Sequence, residues 1–410
     1  MKVLVLNCGS SSVKYQLIET SLERIEANSD VVIAKGSVDR IGTGSAVHTF
    51  QATGRAKVTE SGEILEHREA LTQIVRMLTH AEKGVIASPG EIDAVGHRVV
   101  HGGEKFTTSA LATPEAIAAV EACVPLAPLH NPPNLRGYEA AKRILPDVPH
   151  ALVFDTAYHQ TMPPVSYLYG LPYVLYSRHK IRRYGFHGTS HRFVGWRSRQ
   201  LLGRPREETR LVTCHLGNGA SVCAIDHGRS VDTSMGFTPL EGLLMGTRSG
   251  DLDASVVFHV MHEEDLTEHQ VTTMLNKHSG LFGLSGVSND MRELLAEEAK
   301  GHERAKLAID LFCYRLRKYV AAYAGAMGGV DAVIFTGGIG ENSPAIRARS
   351  LAGLEFMGIE VDAAKNDATI GTEADVSAAG ARVKTLVIPT NEELIIARDT
   401  VRLVAGAENP

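Results

Sequence analysis

The sequence predicts an α/β protein of two related domains, and three observations carry that expectation. At 410 residues the chain exceeds the roughly 100–200 residues of one ordinary core. A strand–turn–strand unit occurs twice, about 200 residues apart, far beyond the ~20–50-residue period of a solenoid. Elsewhere apolar positions recur at helical spacing. Two such domains would face each other across a cleft lying between the two turns.

The first unit begins with the apolar run Val3–Leu6, which breaks at Asn7-Cys8-Gly9-Ser10-Ser11-Ser12 and resumes from Val13 to Ile18. This reads as a hairpin with a polar turn of small residues. The second copy runs Leu211-Val212-Thr213-Cys214-His215, breaks at Leu216-Gly217-Asn218-Gly219, returns over Ala220 to Ile225 and turns again at His227-Gly228. Helical periodicity covers Pro114–Cys123, Leu294–Arg317 and on towards Ala326, and Leu394–Val404. The proline-rich segment Val124–Arg136 is expected to be loop or turn, and Pro163-Pro164 with Gly170-Leu171-Pro172 to punctuate a crossing between domains.

Hydrophobic residues at 44% and charged residues at 22% match an ordinary globular protein and exclude disordered and fibrous classes. A net charge of -5 argues against a nucleic-acid partner, so an anionic ligand must be caught by local cations. Cys8, Cys123, Cys214, Cys223 and Cys313 are odd in number and contain no CxxC pair, as in a reduced, cytoplasmic protein with small buried thiols. The apolar stretch after Met1 is shorter than a signal-peptide core, and no run approaches the ~18 apolar residues of a membrane helix. A cytoplasmic setting without a membrane partner is therefore expected.

Neither GxxxxGK[ST] nor GxGxxG occurs, so any phosphate must be held differently. Three turns of small and polar residues can do so: Asn7–Ser12, Leu216–Gly219 and Gly337–Asn342, where backbone N–H groups can approach phosphate oxygens closely. Lys14, just after the first turn, can add a point charge. Glycine, histidine and arginine concentrate in Gly96–Gly103, Phe154–His159, Arg183–His191 and Gly242–Asp253. The segment Met245–Asp253 has neither strand nor helix period and reads as a site loop.

These residues resemble one family. Asn7-Cys8-Gly9-Ser10-Ser11-Ser12-Val13-Lys14 is similar to the N-terminal signature of the acetate kinase family, and Gly246-Thr247-Arg248-Ser249-Gly250-Asp251-Leu252-Asp253 to its second. His187–His191, His215–Gly219, Thr336–Asn342 and Asn391-Glu392-Glu393 stand in the family's order, and the resemblance spans about Met1 to Arg398. Cys8, Ala254 and Gly337 depart from the common alanine, proline and alanine, all small-residue changes.

The resemblance implies two ribonuclease-H-like domains of the actin/Hsp70/sugar-kinase type with an interdomain cleft. One would be residues 1–155 completed by 393–410, the other a nucleotide-binding domain of residues 156–392. It also implies reversible transfer of the ATP γ-phosphoryl group to acetate, directly and in line, with Mg2+ or its possible substitute Mn2+, in a homodimer. An aliphatic carboxylate is ionised at pH 7 and needs no general base, so catalysis must come from positioning and charge neutralisation. By resemblance Arg98 holds the acetate carboxylate, Arg248 the moving phosphoryl, His187 donates to its equatorial oxygens, and Asp155 orients a metal-bound water or an arginine. Asn7 and Glu392 are the implied metal ligands. Lys14, His215, Leu216, Gly217, Asn218, Gly219, Asp290, Met291, Arg292, Gly338, Ile339, Gly340, Glu341 and Asn342 are implied for ATP or ADP. Val100, Leu129, Phe186 and Pro239 are implied as apolar walls for the methyl group. His101, His159 and His191 read as core or loop histidines outside the site. Two rivals remain: a propionate kinase on the same scaffold, and a nucleotide-switched binding module without transfer chemistry.

Overall fold

The computed structural model describes residues 1–407, so the last three residues of the expected 393–410 segment lie outside the described residues. The chain forms two compact units, Met1–Tyr158 with Asn391–Pro410, and His159–Thr390. Among the described residues no helix is long and apolar enough to cross a membrane.

The first unit holds β1 (Lys2–Cys8), β2 (Ser12–Glu19), β3 (Val31–Asp39), β4 (Thr43–Ala52), β5 (Val58–Ile64), β6 (Ala94–Val99), β7 (Ala110–Leu111) and β8 (His150–Phe154) in one sheet of order β5-β4-β3-β2-β1-β6-β8-β7. Asn7 pairs with Lys14 and Cys8 with Val13, which shrinks the expected break to Gly9-Ser10-Ser11. Alternation along β1 splits its side chains between two cores. Val3 and Val5 pack with Ile18, Val153 and, from the C-terminal helix Glu392–Val404, Ile396, Ala397 and Val401. Leu4, Leu6 and Cys8 pack on the other face with Ala70, Leu71, Ile74, Ala140 and Ala141. Each buried aliphatic side chain contributes about 1.5–3 kcal/mol, enough to hold the chain's two ends together. Gly96 permits the close approach of the C-terminal helix, since a Cβ there would stand 2.5 Å from Thr400 Oγ1 and 2.7 Å from the Ile396 Cγ2.

The expected loop Val124–Arg136 is corrected by the structure: a short turn at Val124–Leu126 is followed by helix Asn131–Ile144. Pro132 and Pro133 fall in its first turn, where a missing N–H breaks no helical bond. Pro163-Pro164 and Gly170–Pro172 likewise lie inside the second unit, at the starts of helices Pro164–Tyr167 and Tyr173–His179. Ser166 Oγ donates to Val231 O at 2.7 Å and ties that segment to the second sheet.

That sheet contains β9 (Arg210–Leu216), β10 (Ala220–Asp226), β11 (Arg229–Thr233), β12 (Ala332–Thr336), β13 (Ala374–Asp375) and β14 (Lys384–Val387), in order β11-β10-β9-β12-β14-β13. The run β11-β10-β9-β12-β14 repeats β3-β2-β1-β6-β8, with antiparallel hairpins followed by parallel neighbours in both. The periodicity from Leu294 to Ala326 divides into helices Met291–Ala299 and Glu303–Ala326, because Gly301 takes φ 88° and His302 caps the second by accepting from Ala305 N. Gly337–Asn342, expected as a turn, is itself a six-residue helix followed by helix Pro344–Leu351.

Candidate active site

In the first unit Arg98 lies on β6 and Asp155 follows β8, parallel neighbours whose register sets Val99 opposite Phe154. Arg98 donates from Nε to Asp155 Oδ1 at 2.9 Å and from Nη2 to Oδ2 at 2.7 Å. Asp155 is 2% exposed, and Glu392 Oε2 stands 3.7 Å from the same Nη2. Burial works against the Arg98 charge, but Asp155 and Glu392 outweigh it and raise the guanidinium's pKa above its ordinary value. Asp155 thus anchors one edge of a permanent cation and leaves Nη1 outside the pair.

Val100 N–H donates to Asn134 Oδ1 at 3.0 Å, and Asn134 Nδ2 donates to Cys8 O at 2.7 Å. One buried amide therefore fixes both the residue after β6 and the end of β1 next to Asn7. Asn131 does the same for His101, accepting from its N–H at 3.1 Å and donating to its carbonyl at 3.0 Å. Neither asparagine stands out in the sequence, because their segment reads as loop; two amides three residues apart beside prolines at a helix start are the available signal. Leu129, named as a pocket wall, is 64% exposed. Asn7 and Lys14 are register partners on the hairpin, and Lys14 shares a pocket with Glu393.

In the second unit His187 takes the left-handed conformation, φ 56°, as it enters helix Gly188–Leu202. A non-glycine residue held there is strained, a cost often met at functional positions. Its Nδ1 meets Ser221 Oγ at 2.9 Å, and its ring stacks on His215 with centroids 4.2 Å apart. Ser190 Oγ in turn meets His215 Nδ1 at 2.8 Å. One helical turn beyond His187, the fully buried His191 meets Ser221 Oγ through Nε2 at 2.8 Å and Thr213 Oγ1 through Nδ1 at 2.7 Å. His159 is also fully buried, between Ser230 Oγ at 2.8 Å and Phe186 O at 3.0 Å. Burial, opposed by the bond to Phe186, lowers the His159 pKa to about 4. Phe186 itself is buried in the core, one residue before His187.

Arg248 lies in the irregular segment after β11. Backbone bonds fix that segment at Gly246 N to Asn218 O (2.9 Å), Leu281 N to Met245 O (2.8 Å) and Ser279 N to Thr247 O (3.0 Å). Its Nη1 donates to Pro239 O at 3.1 Å, and among the described residues no carboxylate pairs with it. Burial lowers its pKa, the mark of a cation lacking compensation. A Cβ on Gly219 would lie 3.6 Å from both Arg248 Nη1 and His187 Nε2, so the two side chains share one small space above that turn.

Beside it a pocket of about 510 Å³ is lined by Gly217, Asn218, Asp290, Met291, Arg292, Gly338, Ile339 and Asn342, among others. Its volume falls in the ~300–1,000 Å³ range of small-molecule sites. Three of the segments named for nucleotide meet there. Asp290 caps helix Met291–Ala299 and pairs with Arg292, whose side chain is 89% exposed. Leu216, Gly340 and Glu341 are outside the lining: Leu216 is buried in β9, Gly340 is buried in its helix, and Glu341 Oε1 accepts from Gly337 N at 2.8 Å and Thr390 N at 3.1 Å.

A family model described as the Acetokinase family matches residues 2–398. The chain is 54% identical over 407 residues to the acetate kinase of Caldanaerobacter subterraneus subsp. tengcongensis, covering 99% of this chain and 100% of that one. It is 53% identical over 406 residues to that of Heliobacterium modesticaldum, again covering 99% and 100%. Among solved structures, the acetate kinase of Porphyromonas gingivalis superposes with a TM-score of 0.93 at 47% identity, covering 98% of this chain and 99% of that one. A propionate kinase from Francisella tularensis gives 0.90 at 40%, with the same coverage.

Proposed function

The chain belongs to the acetokinase family, and from that premise we propose that it catalyses the reversible transfer of the ATP γ-phosphoryl group to acetate, giving acetyl phosphate and ADP. Its α/β architecture, of the actin/Hsp70/sugar-kinase type, suits this chemistry. The observation that carries the reading is Arg248: a partly buried guanidinium without a carboxylate, next to His187 and a glycine turn, is a receptor waiting for an anion. A switch module that merely holds nucleotide has no need of it.

Acetate is ionised at neutral pH, so no base is required and the residues' work is charge and geometry. Arg98, held by Asp155, offers Nη1 to the acetate carboxylate, while Arg248 and His187 Nε2 donate to the phosphoryl oxygens. The pocket along Gly217, Asn218, Met291 and Ile339 receives the nucleotide. Following the family resemblance, Val100, Leu129, Phe186 and Pro239 are proposed as the apolar limit of the acyl end.

Asn7 and Glu392 would hold Mg2+, with Mn2+ as a substitute. Their amide and carboxylate oxygens are the hard donors this ion takes, and they number only two. That fits an ion whose shell is mostly water and phosphate. When bound, it would neutralise phosphate charge.

The test is hydroxylamine trapping with ATP and acetate, propionate or butyrate. Acetate should give the most hydroxamate; a larger yield from propionate would favour a propionate kinase, and no hydroxamate at all would overturn the reading. Homodimeric assembly and a cytoplasmic setting belong to the same proposal and are open to sedimentation and cell fractionation.

A further inference from the structure

Behind His187 runs a chain of two hydroxyls and one imidazole: Thr213 Oγ1 to His191 Nδ1 at 2.7 Å, His191 Nε2 to Ser221 Oγ at 2.8 Å, and Ser221 Oγ to His187 Nδ1 at 2.9 Å. Thr213, Ser221 and His191 are each 0% exposed, so water cannot rearrange these bonds. From this geometry we infer that Ser221, His191 and Thr213 are positioning residues that fix the His187 proton on Nε2, the nitrogen beside Arg248 and Gly219. The inference rests on the reading of His187 as a donor to the transferring phosphoryl group.

The direction follows from counting protons. A hydroxyl has one to give, and a neutral imidazole carries one N–H. His191 is neutral, because burial, with the neighbouring His159 and His215 acting in the same sense, holds its pKa well below the ordinary value. If Ser221 accepted from both histidines, its own buried hydrogen would have neither imidazole left to meet, so the protons point the same way along the chain. If they pointed inward, from His187 Nδ1 towards Thr213, the Thr213 hydroxyl would have only the Cys223 carbonyl to donate to, at 3.5 Å. That distance lies at the outer limit of a hydrogen bond, and the buried donor would be nearly unpaired. Pointing outward, Thr213 donates to His191 Nδ1, His191 Nε2–H to Ser221, and Ser221 to His187 Nδ1. Every buried donor is then satisfied, and the remaining proton stands on His187 Nε2. Such an arrangement pre-sets a donor instead of letting it choose a tautomer during the reaction.

The arrangement was hidden from sequence because the links come from a helix and two strands. His187 and His191 are one turn apart on helix Gly188–Leu202, Thr213 lies on β9 and Ser221 on β10.

The experiment is 15N NMR of histidine-labelled full-length protein, with the His187 signals assigned by their loss in His187→Gln. Wild type should show His187 as a single Nε2–H tautomer. Ser221→Ala should give a tautomer mixture, with kcat lowered on the order of tenfold and both KM values within about twofold. Thr213→Val should move the same signals in the same direction and carries the test if Ser221→Ala fails to fold. Ser221→Thr, which keeps the hydroxyl, should restore the wild-type signals. A wild-type Nδ1–H tautomer, or a His187 tautomer that is indifferent to both Ser221→Ala and Thr213→Val, overturns the inference. The spectrum needs no turnover, so a chain that makes no acetyl phosphate yet shows the tautomer shift refutes the proposed function and leaves the chain of protons standing.

Discussion

Arg98 and Asp155 meet edge to edge, with Nε and Nη2 of the guanidinium each donating to a separate oxygen of a carboxylate that is 2% exposed. The pair fixes the plane of the arginine and leaves Nη1 outside the pair. Burial pushes the Asp155 pKa up, and the Arg98 charge and its hydrogen bonds to both carboxylate oxygens oppose that rise.

Asp155→Asn keeps the shape and removes the counter-charge. Breaking one partner of a buried pair costs roughly 3–5 kcal/mol of stability, so thermal melting should fall, and the loosened Arg98 should separately lower kcat/KM for acetate by on the order of 10². Arg98→Lys cannot reproduce two parallel bonds and should mainly raise the acetate KM. Steady-state kinetics with circular dichroism as a fold check decide this. An unchanged acetate KM in Arg98→Lys would remove Arg98 from the substrate site.

Among the described residues Arg248 makes a single nitrogen–oxygen hydrogen bond, from Nη1 to Pro239 O, so its replacement should affect chemistry far more than stability. Arg248→Lys is expected to lower kcat by something on the order of 10³, as loss of a phosphoryl-binding arginine does elsewhere, with little change in thermal melting. Activity lost only together with the fold would make this arginine structural.

Gly96 and Glu392 test whether the C-terminal helix serves the site. Gly96→Ala drives a methyl into Thr400 and Ile396 and should destabilise the first unit by about 1–3 kcal/mol while shifting Glu392. Both Gly96→Ala and Glu392→Ala should raise the Mg2+ requirement, but only Gly96→Ala should lower the denaturant midpoint. If Glu392→Ala raises the acetate KM and the Mg2+ requirement equally, the carboxylate is a general support and not a ligand.

The buried histidines set an acid limit on stability. His159 titrates near 4 when folded and near 6.5 when unfolded, so between those values the unfolded chain binds more protons. Stability is therefore intact above about pH 6.5 and drains as pH falls towards 4, by about 3 kcal/mol from this residue. His191 and His97, both held well below the ordinary value by burial, act in the same sense. Urea titrations from pH 7.5 to 4.5 should show the loss, and His159→Gln should flatten it. A variant with the full wild-type slope would assign the acid sensitivity to other groups.

Much of the fold was readable because its signals are local. The run Val3–Leu6 and its counterpart from Leu211 mark strands by composition alone, and the turns after them interrupt it. Helix Asn131–Ile144 was not readable, because its prolines, which usually end helices, stand where a helix tolerates them. The split at Gly301 was equally hidden, since the apolar period continues across it.

Of the candidate site, the sequence determined which residue types were available: arginines and histidines in glycine-rich segments, small-residue turns in place of a phosphate loop, and no excess positive charge. It determined these because charge and backbone freedom belong to single residues. Only the tertiary structure decided which side chains act together. That Asp155 anchors one edge of Arg98, that Asn134 fixes both Val100 and the end of β1, and that Ser221 stands between His187 and His191 depend on parallel strand register and helix docking. Those are set by the packing of the apolar faces, which brings distant polar groups within 3 Å of one another and leaves no trace in the spacing of the polar residues themselves.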